Sequence, residues 1–141
     1  MRKGFTILEL GVVMALMAAM FYALMPFVKM VRERARHIRC VNNLQKISIG
    51  IREFYLENGE VQPSSLTLLF TRGYISDENV FDCPFSKTKG TAKEPDYEYN
   101  ADYDFRMPDN MPIVYDKGRN HGNGMINVLY LNGDIKSVKP Q

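Results

Sequence analysis

Glu9 is the residue whose chemical type conflicts most with its surroundings in this 141-residue chain. It is the one charged residue of an apolar run, residues 5–28, which is long enough to span a bilayer as a helix. A carboxylate in that position costs on the order of 2.5–3.5 kcal/mol on insertion scales, so we expect it to have a positively charged partner. Another copy of the chain is one source of such a charge, which indicates a subunit of an assembly. A tolerated carboxylate that reaches water at the membrane surface is the alternative.

Charge is distributed unevenly along the chain. The net charge is +2, so bulk charge does not make the protein a polyanion binder. Basic residues crowd the stretch after the apolar run: Lys29, Arg32, Arg34, Arg36 and Arg39. We interpret this stretch as a contact with anionic membrane lipid. Nucleic acid is an unlikely partner because no aromatic residues alternate with these cations. The positive-inside rule, taken alone, would place this flank in the cytoplasm.

The helical pattern continues beyond the apolar run. Apolar residues recur every three or four positions: Val31, Ala35, Ile38, Val41, Leu44, Ile47, Ile51 and Phe54. We predict one helix over residues 5–58, bent at Pro26 and stopped by Asn58-Gly59. Its second half has one apolar face, which must pack against the rest of the chain.

The remainder of the chain predicts a small α+β domain. A short helix is expected at Leu66–Thr71, followed by a loop at 77–84 and a polar, mobile surface loop at 86–96. Strands are expected at 97–99, 112–115, 126–131 and 134–138. Asn132-Gly133 lies between the last two strands and is a strong hairpin signal. The predicted fold class is therefore a long N-terminal α-helix packed on a small antiparallel β-sheet.

The segment Lys3-Gly4-Phe5-Thr6-Ile7-Leu8-Glu9-Leu10 resembles the signal of type IV prepilins and type II secretion pseudopilins. The resemblance implies that a prepilin peptidase cleaves between Gly4 and Phe5 and methylates the new amino group of Phe5. It also implies that Glu9 pairs with that amino group on a neighbouring subunit. Pro26 falls where many pilins carry a helix-bending proline.

This resemblance implies a pilin-like domain organisation. Residues 1–4 would be a leader peptide, 5–28 a transmembrane helix, 29–58 its amphipathic continuation and 59–141 a globular α+β domain. The chain would be a non-enzymatic structural subunit of a type II secretion pseudopilus or a type IV pilus-like filament. Its partners would be copies of itself, the prepilin peptidase, an inner-membrane platform protein and an assembly ATPase. It would cross the inner membrane once, with the C-terminal domain outside the cytoplasm.

Two other interpretations remain open at this point. A membrane-anchored binding module of the cell envelope that never polymerises would carry the same apolar helix. A cleaved secretory signal is also possible, with Ala15, Ala18 and Ala19 imitating its small-residue cleavage site. An enzyme is disfavoured, because no activated nucleophile or carboxylate pair occurs at a convincing spacing.

Cys40 and Cys83 are the two cysteines of the chain. An even count in an exported domain suggests one disulfide, and two buried free thiols are the alternative. Asn42-Asn43-Leu44 after Cys40, and Pro84 after Cys83, resemble prepilin-like proteins that commonly carry both cysteines. The resemblance therefore favours the disulfide.

Metal binding is not predicted. One conceivable zinc set is His37, Cys40, Cys83 and His121, but its spacing matches no compact zinc pattern. One acidic run is Asp96, Glu98, Asp102, Asp104 and Asp109. A resemblance to major pseudopilins makes calcium conceivable there. The run lacks the ordered pattern of an EF-hand loop, so a solvated acidic loop is the expectation.

His121 opens a stretch that resembles the C-terminal signature of some prepilin-like proteins: a histidine, nine residues, then Asp-Gly. Here ten residues intervene, and Asn132-Gly133 replaces Asp-Gly. We expect the hairpin turn to persist, because Asn-Gly serves the same turn. We predict that His121 anchors the glycine-rich loop to the sheet.

Overall fold

The computed structural model describes residues 6–118, 121 and 124–140. It contains α1 (Ile7–Glu57), α2 (Leu66–Thr71) and a 3-10 helix (Glu78–Phe81). Four strands follow: β1 (Tyr97–Tyr99), β2 (Pro112–Asp116), β3 (Ile126–Tyr130) and β4 (Ile135–Val138). The predicted fold class, a long N-terminal helix with a small antiparallel sheet, is confirmed.

The chain divides into two compact units, of which the first ends at Ala35 and the second begins at Arg36. The described residues of the first unit belong almost entirely to α1, and their side chains are exposed. This part of α1 is long and apolar enough to cross a membrane. Pro26 lies within α1, where its ring removes one backbone donor from the helix.

In the second unit, one face of α1 is buried. The buried positions are Cys40, Asn43, Leu44, Ile47, Gly50, Ile51, Phe54 and Tyr55. The predicted apolar face is therefore right from Leu44 to Phe54. It is wrong at Val31, Ala35 and Ile38, which are exposed, because burial on α1 begins only at Cys40.

Gly50 shows why this face includes a residue without a side chain. A Cβ atom at position 50 would lie 3.0 Å from Cγ1 of Ile75, which is buried. Glycine therefore lets the segment after α2 approach the helix closely.

The sheet has the order β1-β2-β3-β4, and every neighbouring pair is antiparallel. A register shift between Pro112 and Val114 interrupts the pairing of β2 with β3. Such an irregularity breaks the strict alternation of faces, which explains why the successive residues Ile113 and Val114 are both buried.

The β3–β4 connection contains the predicted Asn132-Gly133 turn, but it spans four residues, 131–134, because β3 ends at Tyr130 and β4 begins only at Ile135. The Gly133 backbone N–H donates to the Tyr130 carbonyl at 2.9 Å, and Gly133 has φ +89°, which glycine adopts at little cost.

Two segments differ from prediction. The stretch expected to be a loop at 77–84 contains the 3-10 helix, because the Asp77 carboxylate accepts from the Asn79 N–H at 3.0 Å and starts the turn. The stretch expected to be a surface loop at 86–96 includes three buried residues, Gly90, Ala92 and Asp96. Asp96 is buried because it accepts hydrogen bonds from Ser86 and from the backbone of Cys83.

One hydrophobic core joins α1, α2, the 3-10 helix and the sheet. Its most completely buried members include Leu44, Ile47, Ile51, Leu69, Phe81, Val114 and Leu129. The core side chains of α1 and of the sheet thus share one cluster, which sets the positions of the polar residues discussed below.

The burial pattern of α1 predicts an asymmetric response to mutation. Ile47→Ala should lower the free energy of unfolding by about 2–5 kcal/mol, because it leaves a cavity at a fully buried site. Ile49→Ala is the matched control: it makes the same change on the same helix at a 58% exposed site, and should cost less than about 1 kcal/mol. Urea unfolding of the full chain in detergent, followed by near-ultraviolet circular dichroism, measures both. Equal losses would contradict this packing of α1.

Candidate functional site

Glu9, the predicted assembly residue, has a partner within its own chain. Its Oε2 accepts from the Thr6 backbone N–H at 2.9 Å and from Thr6 Oγ1 at 3.0 Å. The Glu9 N–H in turn donates to Thr6 Oγ1 at 3.3 Å. This reciprocal arrangement is a capping box, which satisfies backbone donors at the start of a helix. The Thr-x-x-Glu spacing carries this signal, and sequence reasoning missed it.

Of the other residues predicted to take part in processing and assembly, the structure describes only Pro26. Gly4 and Phe5, the predicted processing residues, lie outside the described residues. Pro26 lies inside α1. The predicted cleavage and methylation therefore stay predictions.

The two cysteines lie close together in the second unit. Cys40 projects from the buried face of α1, and Cys83 follows the 3-10 helix; both are buried. Both are free cysteines, with their sulfur atoms within 4.8 Å of each other. The predicted disulfide is thus not formed in this structure, although the sulfurs are near neighbours.

Asp116, the last residue of β2, is the centre of a buried polar cluster. Its Oδ2 accepts from the Asn127 backbone N–H at 2.7 Å and lies 2.7 Å from His121 Nε2. Its Oδ1 accepts from Cys40 Sγ at 3.3 Å. The Asp116 side chain has no exposed surface. A carboxylate so placed depends on these partners, because burying an unpaired charge is costly.

His121 lies in the β2–β3 connection and closes the cluster. Its ring centroid is 4.2 Å from that of Phe85, and the His37 ring meets it edge-on at 5.8 Å. The His121 side chain is 7% exposed. The residue predicted to anchor the glycine-rich loop thus contacts the end of β2 through Asp116.

Neighbouring polar groups hold the cysteines in place. The Cys83 backbone N–H donates to Asp96 Oδ2 at 3.0 Å. Asn43, one turn after Cys40 on α1, donates from Nδ2 to the Asp82 carbonyl at 2.9 Å. The polar face of this helix turn therefore binds the chain just before Cys83, which brings the two thiols together.

Further contacts surround the Cys40 sulfur. Asn127 Nδ2 donates to it at 3.3 Å, and the Tyr97 hydroxyl lies 3.7 Å away. Asn127 is itself fixed through its side-chain oxygen, which accepts from Ser137 on β4. Strands β1, β3 and β4 thus all contribute to the surroundings of one thiol.

These contacts shift the pKa values of the cluster. A hydrogen bond from Cys40 lowers the pKa of Cys83 to about 6, against the opposing effect of burial and with help from His121. The pKa of Cys40 is raised, first by its hydrogen bond with Cys83, then by burial and by the nearby charge of Asp116. Burial lowers the pKa of His121, but its hydrogen bonds to Asp116 and Cys83 outweigh burial and raise that pKa to about 9. One thiol of the pair is therefore the more acidic, and His121 favours its charged form.

The cluster differs from the zinc set considered from sequence. Among the residues that the structure describes, Cys40, Cys83, Asp116 and His121 are the group whose potential ligand atoms all lie within 4.8 Å of one another. Asp116 takes the place that His37 had in the sequence-based set. Asp116 was missed because nothing in a strand-ending Asp distinguishes it from a solvated one; only the fold brings α1 against that end of β2.

The structure does not bring the acidic residues considered for calcium together into one group of potential ligands. Within the described part of the chain, Asp96, Glu98, Asp102, Asp104 and Asp109 form no such group. Asp96 is turned inward toward Cys83, so the expectation of a solvated acidic loop is wrong at that residue.

Asn132 and Gly133, the remaining signature residues, form the β3–β4 turn. Asn132 Oδ1 accepts from the Asp134 N–H at 2.9 Å, which closes the turn from its side chain. These residues thus serve the hairpin, whereas His121 belongs to the buried cluster.

Comparisons with protein-family models, with curated proteins and with solved structures found no match to this chain. The two candidate sites are therefore interpreted from their own chemistry: an acidic capping residue at the start of an exposed apolar helix, and a buried group of two thiols, a carboxylate and an imidazole.

The cluster predicts a large stability loss when its carboxylate is removed. Asp116→Ala should lower the free energy of unfolding by about 3–5 kcal/mol, because it leaves His121 and the Asn127 N–H buried without their acceptor. Asp109→Ala, at an exposed site, is the control and should change stability by about 0.5 kcal/mol or less. Urea unfolding midpoints of the full chain measure both. A mild effect of Asp116→Ala would show that the carboxylate is not essential to the packing here.

Proposed function

We propose that this protein is a structural subunit of a helical filament, of the type II secretion pseudopilus or type IV pilus kind. The observation that carries the proposal is a carboxylate, Glu9, on the membrane-length apolar part of α1, all of whose described side chains are exposed. The resemblance of residues 3–10 to the prepilin signal supports the same conclusion.

The exposed surface of this part of α1 is apolar on every side. Among its largest exposed side chains are Leu8, Leu16, Met20, Phe21, Leu24 and Phe27. A helix that is apolar all round is stable in lipid or among other helices, and not in water. A subunit stored in the membrane and then transferred into a bundle of identical helices keeps this surface away from water in both states. Such contacts between unlike faces do not close, which produces a filament.

Charge pairing would set the register between subunits. After cleavage by a prepilin peptidase, the methylated amino group of Phe5 keeps its positive charge and would lie against Glu9 of a neighbouring copy. A subunit displaced along the axis would leave both charges buried without partners, which is strongly unfavourable. The C-terminal domain would lie outside the cytoplasm, and assembly would need a platform protein and an ATPase.

One observation favours the second candidate, a membrane-anchored binding module that does not polymerise. The capping box already gives Glu9 hydrogen-bond partners in its own chain. A carboxylate that only caps α1 would need no neighbouring subunit. The two functions differ in what they require of Glu9: the filament needs its negative charge, whereas the cap needs only an acceptor.

Substitutions at Glu9 separate these requirements. Glu9→Gln keeps a side chain that serves in a capping box but removes the charge, and Glu9→Leu removes both. We expect both variants to insert into the membrane normally and to form no filaments, as judged by shearing and electron microscopy of cells. Thr6→Val is the matched control, because it removes the hydroxyl of the box and leaves the charge; it should still assemble. Filaments from Glu9→Gln in normal amounts would exclude the charge pairing, whereas a lack of filaments from the unmutated chain would support the anchor.

The amino terminus of the mature protein gives an independent test. We expect mass spectrometry of protein from the cell envelope to find a methylated Phe5 as the first residue. A chain that retains Met1 would contradict processing by a prepilin peptidase, and a first residue just after Ala19 would indicate ordinary secretion. Protein from cells that lack the peptidase serves as the control and should begin at Met1.

A further inference from the structure

We infer that Cys40, Cys83, Asp116 and His121 bind one zinc ion, which ties α1 to the sheet and to the chain after the 3-10 helix. This site lies in the second unit and does not depend on whether the chain polymerises.

The spacing of the four side chains fits a single ion. Tetrahedral zinc with bonds of about 2.0–2.3 Å to oxygen, nitrogen and sulfur separates its ligand atoms by about 3.3–3.8 Å. The four potential ligand atoms all lie within 4.8 Å of one another, and Cys40 Sγ is 3.3 Å from Asp116 Oδ1. His121 Nε2 and Asp116 Oδ2, now 2.7 Å apart, would separate slightly as both turn toward the ion. Adjustments of this size need side-chain rotation and no rearrangement of the backbone.

The ligand types select zinc among the common biological metals. Two thiolates and an imidazole are soft or borderline ligands, whereas calcium and magnesium require sets built from oxygen. Four protein ligands would fill a tetrahedral shell and leave no position for a substrate. All four residues are buried, so the site would stabilise the fold and would not catalyse a reaction.

The surroundings supply the outer hydrogen bonds that zinc sites require. The Asn127 backbone N–H fixes Asp116 Oδ2, and Asn127 Nδ2 donates to the Cys40 sulfur. An N–H donor beside a sulfur stabilises the thiolate that zinc needs. The Cys83 backbone is fixed by Asp96. Asn127 Nδ2 also lies 3.1 Å from His121 Nε2, so the Asn127 side chain would turn slightly aside as His121 binds the ion.

A disulfide between the same cysteines is the competing outcome. It would draw the sulfurs to about 2.05 Å and leave Asp116 and His121 as a separate buried pair. Zinc uses all four side chains together, and their convergence is what favours it. The two outcomes differ in composition: the zinc form has two thiols and one metal ion, and the disulfide form has neither.

The test uses the full chain, extracted in detergent with a tag that contains no histidine. Free thiols are alkylated with iodoacetamide after denaturation, and zinc in the untreated sample is counted by plasma mass spectrometry. We expect one zinc ion per chain and two alkylated cysteines, and chelation should lower the thermal unfolding midpoint. A disulfide between Cys40 and Cys83 within the chain would overturn the proposal. Two free thiols without stoichiometric zinc would also overturn it.

Variants identify the ligands. Asp116→Asn and His121→Gln should abolish stoichiometric zinc, whereas His37→Gln, at a neighbouring histidine outside the set, should retain it. Asn127→Leu should weaken zinc binding by about 10–100-fold, as expected for an outer-shell partner. Loss of zinc in His37→Gln together with its retention in Asp116→Asn would overturn this ligand set.

Cobalt substitution tests the site in the unmutated chain, so the result does not depend on whether the variants fold. The unmutated chain, reconstituted with Co²⁺, should show intense visible absorption typical of tetrahedral thiolate coordination. Weak, octahedral-type absorption would contradict a site with two sulfur ligands.

Discussion

The second unit depends on the burial of one face of α1 against the core. Leu44, Ile47 and Ile51 share a hydrophobic cluster with residues from the sheet and from α2. At roughly 25 cal/mol per Å² of apolar surface, each fully buried side chain contributes on the order of 1.5–3 kcal/mol. Several such side chains act together, so this face determines which residues of α1 meet which strands. Cys40 and Asn43 reach the polar cluster because they continue the same face toward the N-terminus.

Asp116 shows how a core of this kind accommodates polar chemistry. It is fully buried, yet it contacts a thiol, an imidazole and a backbone N–H. Every one of these groups comes from a different part of the fold: α1, the β2–β3 connection and β3. A carboxylate can remain at such a site only where all of these elements are in place, and the cluster therefore couples their positions.

The two parts of α1 have the same secondary structure but differ in how their side chains are exposed and buried. Up to residue 28 the described part of the helix is apolar apart from Thr6 and Glu9, and its side chains are exposed; after Arg39 the helix has one buried face and one solvated face. Glu9 belongs to the first part, where its capping contacts with Thr6 are local. The buried thiols belong to the second, where every contact of Cys40 joins residues distant in sequence. The proposed assembly role and the proposed zinc site therefore depend on different interactions: the exposed apolar surface and charge of the first part, and the buried long-range contacts of the second.

Local patterns in the sequence determined much of this protein: the extent of α1, the short α2 and the Asn132-Gly133 turn. Each of these depends on neighbours within a few residues, namely helical periodicity, a Ser cap and a glycine at positive φ. The limits of the buried face of α1, the inward turn of Asp96 and the place of Asp116 beside two thiols were decided by the tertiary structure. These features depend on contacts between residues that are far apart in sequence, for example 76 positions between Cys40 and Asp116. No local pattern records which distant segments will cover a helix, because that follows from how the whole core packs.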